Sequence, residues 1–401
     1  MRTGRPLREQ RAAEALGTFP ALTAETVWSA ADDLQRTLPD RTRRVVVERF
    51  GLASGSPRTL ADIGSTEGVS RERIRQIVDA GLALLRRAAP PPPKRAASAA
   101  VVAAELLNRL GGAASEGTIL AVLCSHEARD RAALRFLLSG FPTFAEARET
   151  QRTYAHWVLV RPDLPVVETT REDHKSPRDL SLEAVIESAE RVLATAARVV
   201  PEDRFVGLVL ADLHETLPLA ILYSYLALSK QIARNPLGEF GLRTSREAVP
   251  RSVGDKAYLI LRRAGKPLHF REVAAEINRV GFDEKRALAE TVHNELIRDA
   301  RFVLVGRGLY ALHEWGFTPG KVSDLIVRLL EAAGRPLLKQ DLVEAVLKER
   351  LVRRNTVLMS LANRSLFKSL PDDTVVLVHA REPVGSSPEV VPAPSDPGHR
   401  H

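Results

Sequence analysis

The sequence has few of the features that mark secreted, metal-binding or membrane proteins. Its 401 residues include one cysteine, Cys124, so an intramolecular disulfide and a zinc site built from several cysteines are both excluded. We expect Cys124 to be a small core residue. The first twenty residues lack an apolar stretch of signal-peptide length, and no later run approaches the length of a membrane span. These absences predict a cytoplasmic protein that makes no membrane contact.

Motifs of catalysis are also missing. The sequence has no GxxxxGKS/T phosphate loop, no HExxH zinc helix and no GxSxG nucleophile elbow. Its acidic residues are scattered over segments with helical periodicity, where solvation and salt pairing account for them. His399 and His401 are too isolated to suggest a metal site. We therefore expect a protein that is not an enzyme and that uses no metal or cofactor.

Positive charge is concentrated in the first quarter of the chain. The formal net charge is +8, and residues 1–96 hold 17 Lys and Arg against 11 Asp and Glu. Those residues therefore contribute +6, and the other three quarters of the chain are nearly neutral. A basic balance of this kind is typical of segments that contact a polyanion, including nucleic acid.

A helix-turn-helix is predicted over residues 59–87, which read TLADIGSTEGVSRERIRQIVDAGLALLRR. The first helix has an apolar stripe with a small residue where a second helix can approach. Gly68 supplies a tight turn, and Ser70 accepts hydrogen bonds from the first amides of the next helix. The stripe consists of Leu60, Ile63 and Gly64.

The second helix of this motif turns a polar face outward. Its inward side is apolar, whereas the outward side combines donors and acceptors at i, i+4 spacing. Arginine suits guanine, glutamate suits cytosine and glutamine suits adenine. The alternative, a charged face that is merely solvated, is disfavoured because turn, cap and outward set occur together at helix-turn-helix spacing. The inward residues are Ile74, Ile77 and Val78, and the outward residues are Arg71, Glu72, Arg75 and Gln76.

Residues 38–87, with the strings LPDRTRRVVVERFGL and VSRERIRQI, resemble region four of the housekeeping-type bacterial sigma factors. In that family the region docks on the flap of RNA polymerase and reads the minus-thirty-five promoter element in the major groove. The resemblance therefore implies double-stranded DNA and the RNA polymerase core as partners. It places base reading on Arg71, Glu72 and Gln76, backbone or accessory contacts on Arg73 and Arg75, and further DNA-binding positions on Ser70 and Thr59, the latter as a phosphate contact.

The residues before Leu38 leave no room for the aromatic-rich region with which sigma factors capture flipped promoter bases. Phe19 and Trp28 are the aromatic residues there. We therefore expect the recognition module of a sigma factor rather than a complete sigma factor.

The predicted fold class is mainly α with small β wings, in which the helix-turn-helix module precedes tandem winged-helix domains. A polyproline stretch, AAPPPPKRA, is expected to act as a stiff spacer between the module and the rest. The predicted divisions are a basic flexible N-terminus (1–20), the module (21–87), the Pro-rich linker (88–96), four winged-helix-like units (97–165, 181–249, 252–316 and 318–380) and a disordered tail (381–401).

The unit at residues 252–316 resembles the HARE-type winged helix and is similar to the N-terminal domain of the RNA polymerase delta subunit, through AYLILRRAGKPLHFREVAAEI and GRGLYALHEWG. The resemblance implies association with nucleic acid without fixing the role. Secondary nucleic-acid candidates are Lys230 and Arg234, expected on the third helix of the unit at 181–249, and Arg307, expected in a wing turn between two glycines. A solvated face is the alternative for each of them.

Two functions remain open. The first is a sequence-specific transcription regulator that reads a promoter-like element through the helix-turn-helix. The second is an RNA polymerase-associated accessory protein whose winged helices are mainly protein-binding platforms. The nearly neutral charge of residues 97–401 favours the second function over four independent DNA readers.

Overall fold

A computed structural model describes residues 7–19, 24–87, 90–123, 128–160, 181–317, 322–349 and 354–378. Cys124, the first two residues of the expected linker, and the expected tail at 381–401 lie outside the described residues. The chain divides into two compact units, Met1–Arg251 and Ser252–His401. Among the described helices, none combines the length and the apolar character that crossing a membrane requires.

The first unit begins with five helices. Three of them, α3, α4 and α5, pack together around a small apolar core that contains Val45, Ile63, Ile74 and Val78. The five helices are α1 (Leu7–Leu16), α2 (Ala24–Gln35), α3 (Asp40–Phe50), α4 (Leu60–Glu67) and α5 (Arg71–Leu85).

Two copies of one pattern complete the first unit. Each copy has a helix, a short strand, two helices and a final pair of strands, and the last strand lies antiparallel between the other two. The first copy is α6 (Lys94–Arg109), β1 (Ala113–Ala114), α7 (Glu116–Leu123), α8 (Ala128–Gly140), β2 (Phe144–Ala147) and β3 (His156–Leu159). The second copy is α9 (Leu182–Ala196), β4 (Val200–Pro201), α10 (Glu202–Leu213), α11 (Leu219–Leu228), β5 (Ile232–Arg234) and β6 (Glu239–Leu242).

The second unit repeats the pattern twice more, with the same strand order in each sheet. The third copy is α12 (Val253–Ala264), β7 (Leu268–His269), α13 (Phe270–Val280), α14 (Ala289–Arg298), β8 (Phe302–Gly306) and β9 (Leu309–Leu312). The fourth copy is α15 (Val322–Ala333), β10 (Leu337–Leu338), α16 (Lys339–Glu349), α17 (Arg354–Leu361), β11 (Phe367–Ser369) and β12 (Thr374–Leu377). We name the copies the first to the fourth winged helix. The predicted fold class is confirmed.

Local capping signals set several helix ends in the second unit. The Ser252 side chain accepts a hydrogen bond from the Asp255 amide, and the Asp255 carboxylate accepts one from the Ser252 amide, so α12 starts with a complete capping box. The same helix ends at Gly265, which adopts the left-handed conformation at φ 62°. These ends follow directly from residue type and spacing.

The helix-turn-helix module packs directly against the first winged helix, which corrects the expectation of a spacer between them. α2 packs on α6 and α8, and α3 and α5 also contact α8. The ring of Phe50 meets the ring of Phe136 edge to face, with centroids 5.3 Å apart. The physical reason is apolar burial: α2 buries Val27 and Leu34, and each such side chain stabilises the fold by about 1.5–3 kcal/mol. The prolines end at Pro93, which caps α6.

The N-terminal segment also differs from the expectation of a flexible basic terminus. Residues 7–16 form α1, which packs on α11 and buries Ala12 completely. Every residue of α11 from Ala220 to Leu228 is buried, so this apolar helix needs cover on all sides. α1 is ordered because it supplies part of that cover.

Glu202, at the start of α10, is the centre of a charge cluster that holds α1 in place. Its carboxylate accepts hydrogen bonds from Arg11, from the Tyr223 hydroxyl at 2.7 Å and from Arg234 at 2.7 Å. Burial raises the pKa of Glu202, but the bonds from Tyr223, Arg11 and Arg234 outweigh it and hold the pKa below its ordinary value. Burial and the bond to Glu202 raise the pKa of Tyr223 to about 12.

Replacing Glu202 with Gln should destabilise the first unit by about 1–3 kcal/mol at neutral pH, because Arg11 and Arg234 lose their counter-charge in a partly buried setting. The folded pKa lies below the ordinary 4.5, so the stabilisation is complete above that value and disappears as the pH falls through the folded pKa. Urea-induced unfolding of both proteins should therefore show a difference at neutral pH that shrinks in acid.

Glu14→Gln is the matched control for that substitution. Glu14 also pairs with Arg11, but its side chain is 57% exposed, so the change in unfolding free energy should be no more than about 0.5 kcal/mol. Equal destabilisation by the two substitutions would show that Glu202 has no special role.

Candidate nucleic-acid interface

The α4-turn-α5 segment has the caps and the turn of a helix-turn-helix. Thr59 caps α4: its hydroxyl accepts from the Asp62 amide at 3.2 Å and donates to the Asp62 carboxylate at 2.6 Å. Gly68 ends α4 in the left-handed conformation at φ 66°. Ser70 then caps α5 by accepting from the Arg73 amide at 3.2 Å. The chain therefore turns where the sequence places glycine and serine.

Gly64 lets the turn close onto α4. A Cβ atom at this position would lie 2.7 Å from the backbone carbonyl oxygen of Val69, far inside van der Waals contact. Ile63 and Ile74 are fully buried on either side of the turn. The small residue and the two apolar residues together fix the angle at which α5 leaves the turn.

The N-terminal half of α5 presents its polar residues to solvent. Arg71, Glu72, Arg73, Arg75 and Gln76 are all exposed, as the sequence predicts. Arg75 donates to the Glu72 carboxylate at 2.7 Å and to the carboxylate of Asp79, one turn further along α5, at 2.7 Å. Arg73 donates to the Gln76 side-chain oxygen at 3.1 Å. In the described part of the chain the Arg71 side chain has no such hydrogen-bond partner.

The pairing of Arg75 with Glu72 sets the charge state of both side chains. The hydrogen bond from Arg75 holds the pKa of the Glu72 carboxyl below its ordinary value, and the same bond raises the pKa of Arg75. Glu72 is ionised at neutral pH, as an exposed glutamate is, and acts only as an acceptor. An ionised carboxylate is the group that accepts from the exocyclic amine of cytosine.

Docking of the first winged helix adds one cation, Arg135 of α8, beside the second half of α5. A cavity of about 340 Å³ lies there. The sequence analysis names Arg75 but not Arg49, Arg86 or Arg135, because this cavity forms only when α8 packs on the module and no local pattern predicts that packing. The arginines that line the cavity are Arg49, Arg75, Arg86 and Arg135.

Two of the secondary candidates do not lie where the sequence predicts. The expectation of a third helix carrying Lys230 and Arg234 is wrong, because α11 ends at Leu228 and Arg234 lies on β5. Lys230 donates to the Thr150 carbonyl oxygen at 2.6 Å, and the Arg234 side chain is 14% exposed against Glu202. Both cations are engaged inside the first unit. The uncharged, mainly apolar run LAILYSYLAL was the available signal for a buried helix.

Arg307 lies in the tight turn between β8 and β9 and is exposed. Its neighbour Gly308 adopts a φ of 71°, as such a turn requires. Arg307 therefore lies in the wing turn, as its place between two glycines predicts.

Two parts of the chain match known families. Residues 36–87 match the family model of Sigma-70, region 4. Residues 251–315 match the HARE-HTH family model, a helix-turn-helix domain of ASXL proteins and restriction endonucleases. Both resemblances drawn from the sequence are thereby confirmed. The two matches point to DNA binding and to transcription.

Sigma factors are among the curated relatives. The chain is 45% identical over 56 residues to the RNA polymerase principal sigma factor HrdD of Streptomyces griseus, which covers 14% of this chain and 17% of that protein. It is 42% identical over 73 residues to the RNA polymerase sigma factor SigA of a Bacillus species (18% and 19%) and 50% identical over 58 residues to the RNA polymerase sigma-C factor of a Nostoc species (14% and 14%). The chain thus spans less than a fifth of the length of these relatives. No solved structure matches it significantly.

Gly64→Ala should destabilise the helix-turn-helix and weaken DNA binding. The new methyl group would collide with the Val69 carbonyl oxygen at 2.7 Å, at a cost of about 1–3 kcal/mol. Gly207→Ala is the control, because Gly207 also lies in a helix, α10, and a Cβ atom there meets nothing within 4 Å.

Both substitutions gain helix propensity, about 1 kcal/mol relative to glycine. The difference between them in urea-induced unfolding therefore isolates the collision. If Gly64→Ala were as stable as Gly207→Ala and bound DNA normally, the close approach at the turn would not matter.

Proposed function

We propose that this protein is a transcription regulator that recognises a promoter-like DNA element through α5. In this proposal Arg71, Glu72 and Gln76 read base edges in the major groove. The single observation that supports it is the exposed N-terminal half of α5, which carries these three side chains on a helix-turn-helix that matches sigma region 4. The proposed role is binding without catalysis, in keeping with the missing catalytic motifs.

The geometry of α5 suits entry into a major groove, which is about 12 Å wide and admits one helix. The inward side of α5 is anchored through Ile74 and Val78, both buried, so the outward residues are held on a fixed scaffold. Arg73 and Arg75 would contact the backbone. Thr59, at the start of α4, would contact a phosphate from the neighbouring helix, although its hydroxyl is hydrogen-bonded to Asp62 in the unbound protein.

Exchange of internal bonds for DNA contacts is energetically feasible. Exposed ion pairs such as Arg75 with Glu72 add little to stability because water screens them, whereas a bidentate contact to the correct base contributes about 1–3 kcal/mol of discrimination. The base contacts therefore exceed the cost of opening the pairs. Release of Arg75 to a phosphate also frees Glu72 to accept from a base.

Gln76→Ala should cost about 1–3 kcal/mol on the preferred sequence and relax the preference at one base pair. Arg71→Ala and Glu72→Ala should each relax a different base pair. Arg73→Ala should instead weaken binding to all duplexes alike, as loss of a phosphate contact does. Selection of bound sequences from random DNA, followed by titration of the selected duplex, measures both effects.

Gln151→Ala is the matched control, because Gln151 is an exposed glutamine in the loop that joins β2 to β3. It should leave affinity and preference unchanged. Direct reading by α5 would be refuted if substitution of Arg71, Glu72 and Gln76 together left the footprint on selected DNA as it is.

A second function, an accessory protein of RNA polymerase, is favoured by one further observation. The third helices of the first two winged helices, α8 and α11, are buried in protein contacts, so these domains serve here as packing platforms rather than as DNA readers. The curated relatives are named as RNA polymerase sigma factors. We propose the RNA polymerase core as a partner on these grounds.

Selection from random DNA with and without core polymerase separates the two functions. A regulator that reads DNA by itself should enrich one element in both selections. Enrichment only when the polymerase is present would favour the accessory function, whereas unchanged enrichment together with no retention of polymerase on the immobilised full chain would refute it.

A further inference from the structure

The four winged helices differ in whether their third helix is free to meet DNA. In a helix-turn-helix, the helix after the turn enters the major groove. On α8 most residues are buried beneath the helix-turn-helix module, and on α11 every residue from Ala220 to Leu228 is buried. Neither helix reaches a groove unless the first unit unpacks.

The third winged helix exposes its third helix, α14, but the surroundings are not cationic. Exposed positions on this helix include Glu290, Thr291, Asn294 and the apolar Ile297. Residues 281–302 hold four Lys and Arg against five Asp and Glu. A face with this balance does not attract the phosphate backbone.

The fourth winged helix is different, because its third helix, α17, lies in a basic stretch of the sequence. Residues 348–368 hold six Lys and Arg against one acidic residue, Glu349. On α17 itself Arg354, Asn355, Thr356 and Met359 are exposed. This segment is the most basic part of a domain that is otherwise near neutrality.

Three of these cations have side chains without a partner among the residues that the structure describes. Arg354 begins α17, Arg364 follows its end and Lys368 lies on β11, and all three are exposed. Within the described ranges, none of these side chains makes an ion pair or a hydrogen bond. They contrast with Arg75 on α5, which holds two carboxylates. Such cations are available to an external anion.

The spacing of these cations fits a duplex. α17 has eight residues and is therefore about 12 Å long, which is close to the width of the major groove. Arg354 and Arg364 lie at its two ends, where they can meet phosphates on opposite sides of a groove. Asn355 and Thr356, in the first turn, are side-chain types that hydrogen-bond base edges.

We propose that α17 and its flanks form a second contact site for duplex DNA, distinct from α5. Arg354, Arg364 and Lys368 bind phosphates, and Asn355 and Thr356 face the bases. The turn between β11 and β12 stays off the backbone, because it carries Asp372 and Asp373.

The test uses the full chain with the double substitution Arg354→Ala/Arg364→Ala and, as its charge-matched control, Arg328→Ala/Arg335→Ala. Arg328 and Arg335 are exposed arginines of the same winged helix, on α15 and just after it. Fluorescence anisotropy with a random-sequence duplex over a series of salt concentrations gives the slope of log affinity against log salt. The first variant should lower that slope by about two, one for each arginine, and the control should leave it unchanged.

A third variant, Arg354→Lys/Arg364→Lys, keeps the charge and should restore most of the slope. Thermal unfolding of the variants checks that each is folded. The inference is overturned if a folded Arg354→Ala/Arg364→Ala protein has the slope of the unsubstituted chain, or if the control lowers the slope equally.

This result is separable from reading by α5. Substitution of Arg71, Glu72 or Gln76 in α5 changes which base pairs are preferred, whereas the α17 substitutions lower the affinity for all duplexes alike. A chain with Gln76→Ala should therefore still lose salt dependence when Arg354 and Arg364 are replaced. If the α17 substitutions leave the salt dependence unchanged while the α5 substitutions still change the base preference, the second contact site is refuted and the proposed function is not.

Discussion

Apolar contact between α2 and α8 is the interaction on which the first unit depends. α2 comes before the helix-turn-helix and α8 is the third helix of the first winged helix, yet the two share one core with Leu34 and Phe136 fully or almost fully buried. The contact joins the module to the next domain as a single body. It also covers α8, the helix with which the first winged helix would otherwise approach DNA.

One topology therefore serves two purposes in the same chain. In the first two copies a neighbour covers the third helix: α2 packs on α8, which is amphipathic, and α1 packs on α11, which is apolar. In the last two copies the third helix keeps exposed polar residues. Strand order and helix order are the same in all four copies, so the copies differ in what packs on the third helix and in how much of it stays exposed.

Local signals made the helix-turn-helix predictable from sequence, since a cap such as Ser70 and a turn residue such as Gly68 act within a few residues. The four-fold pattern was predictable for a similar reason, because helical and strand periodicity are local. Contacts between elements distant in sequence were not. Arg11 donates a hydrogen bond to Glu202, 191 positions away in the sequence. Neither segment contains a pattern that predicts the other as its partner.

The misplaced Lys230 and Arg234 illustrate the same limit. From the sequence alone, a basic residue that follows an apolar helix is easily assigned to a surface that faces a DNA groove. The structure shows that this helix is covered on every side. Both cations form ion pairs within the fold, Lys230 with Glu149 and Arg234 with Glu202. Positive charge in a sequence is therefore a poor guide to nucleic-acid contact where the fold buries the cation against a carboxylate, as it does Arg234 against Glu202.

Arg75 on α5 is paired with carboxylates, whereas the arginines that flank α17 are not, and this difference gives the two helices different roles in the proposed complex. Arg75 must leave Glu72 before it can bind a phosphate, and its departure exposes a carboxylate close to the groove. If the facing base is cytosine, its exocyclic amine donates a hydrogen bond to the Glu72 carboxylate. If it is another base, the carboxylate has no donor and lies close to the phosphates, which is unfavourable. In the proposed complex, opening this pair would therefore disfavour wrong sequences. The arginines that flank α17 carry no such penalty, so their contribution is the same on every sequence and adds affinity without selection.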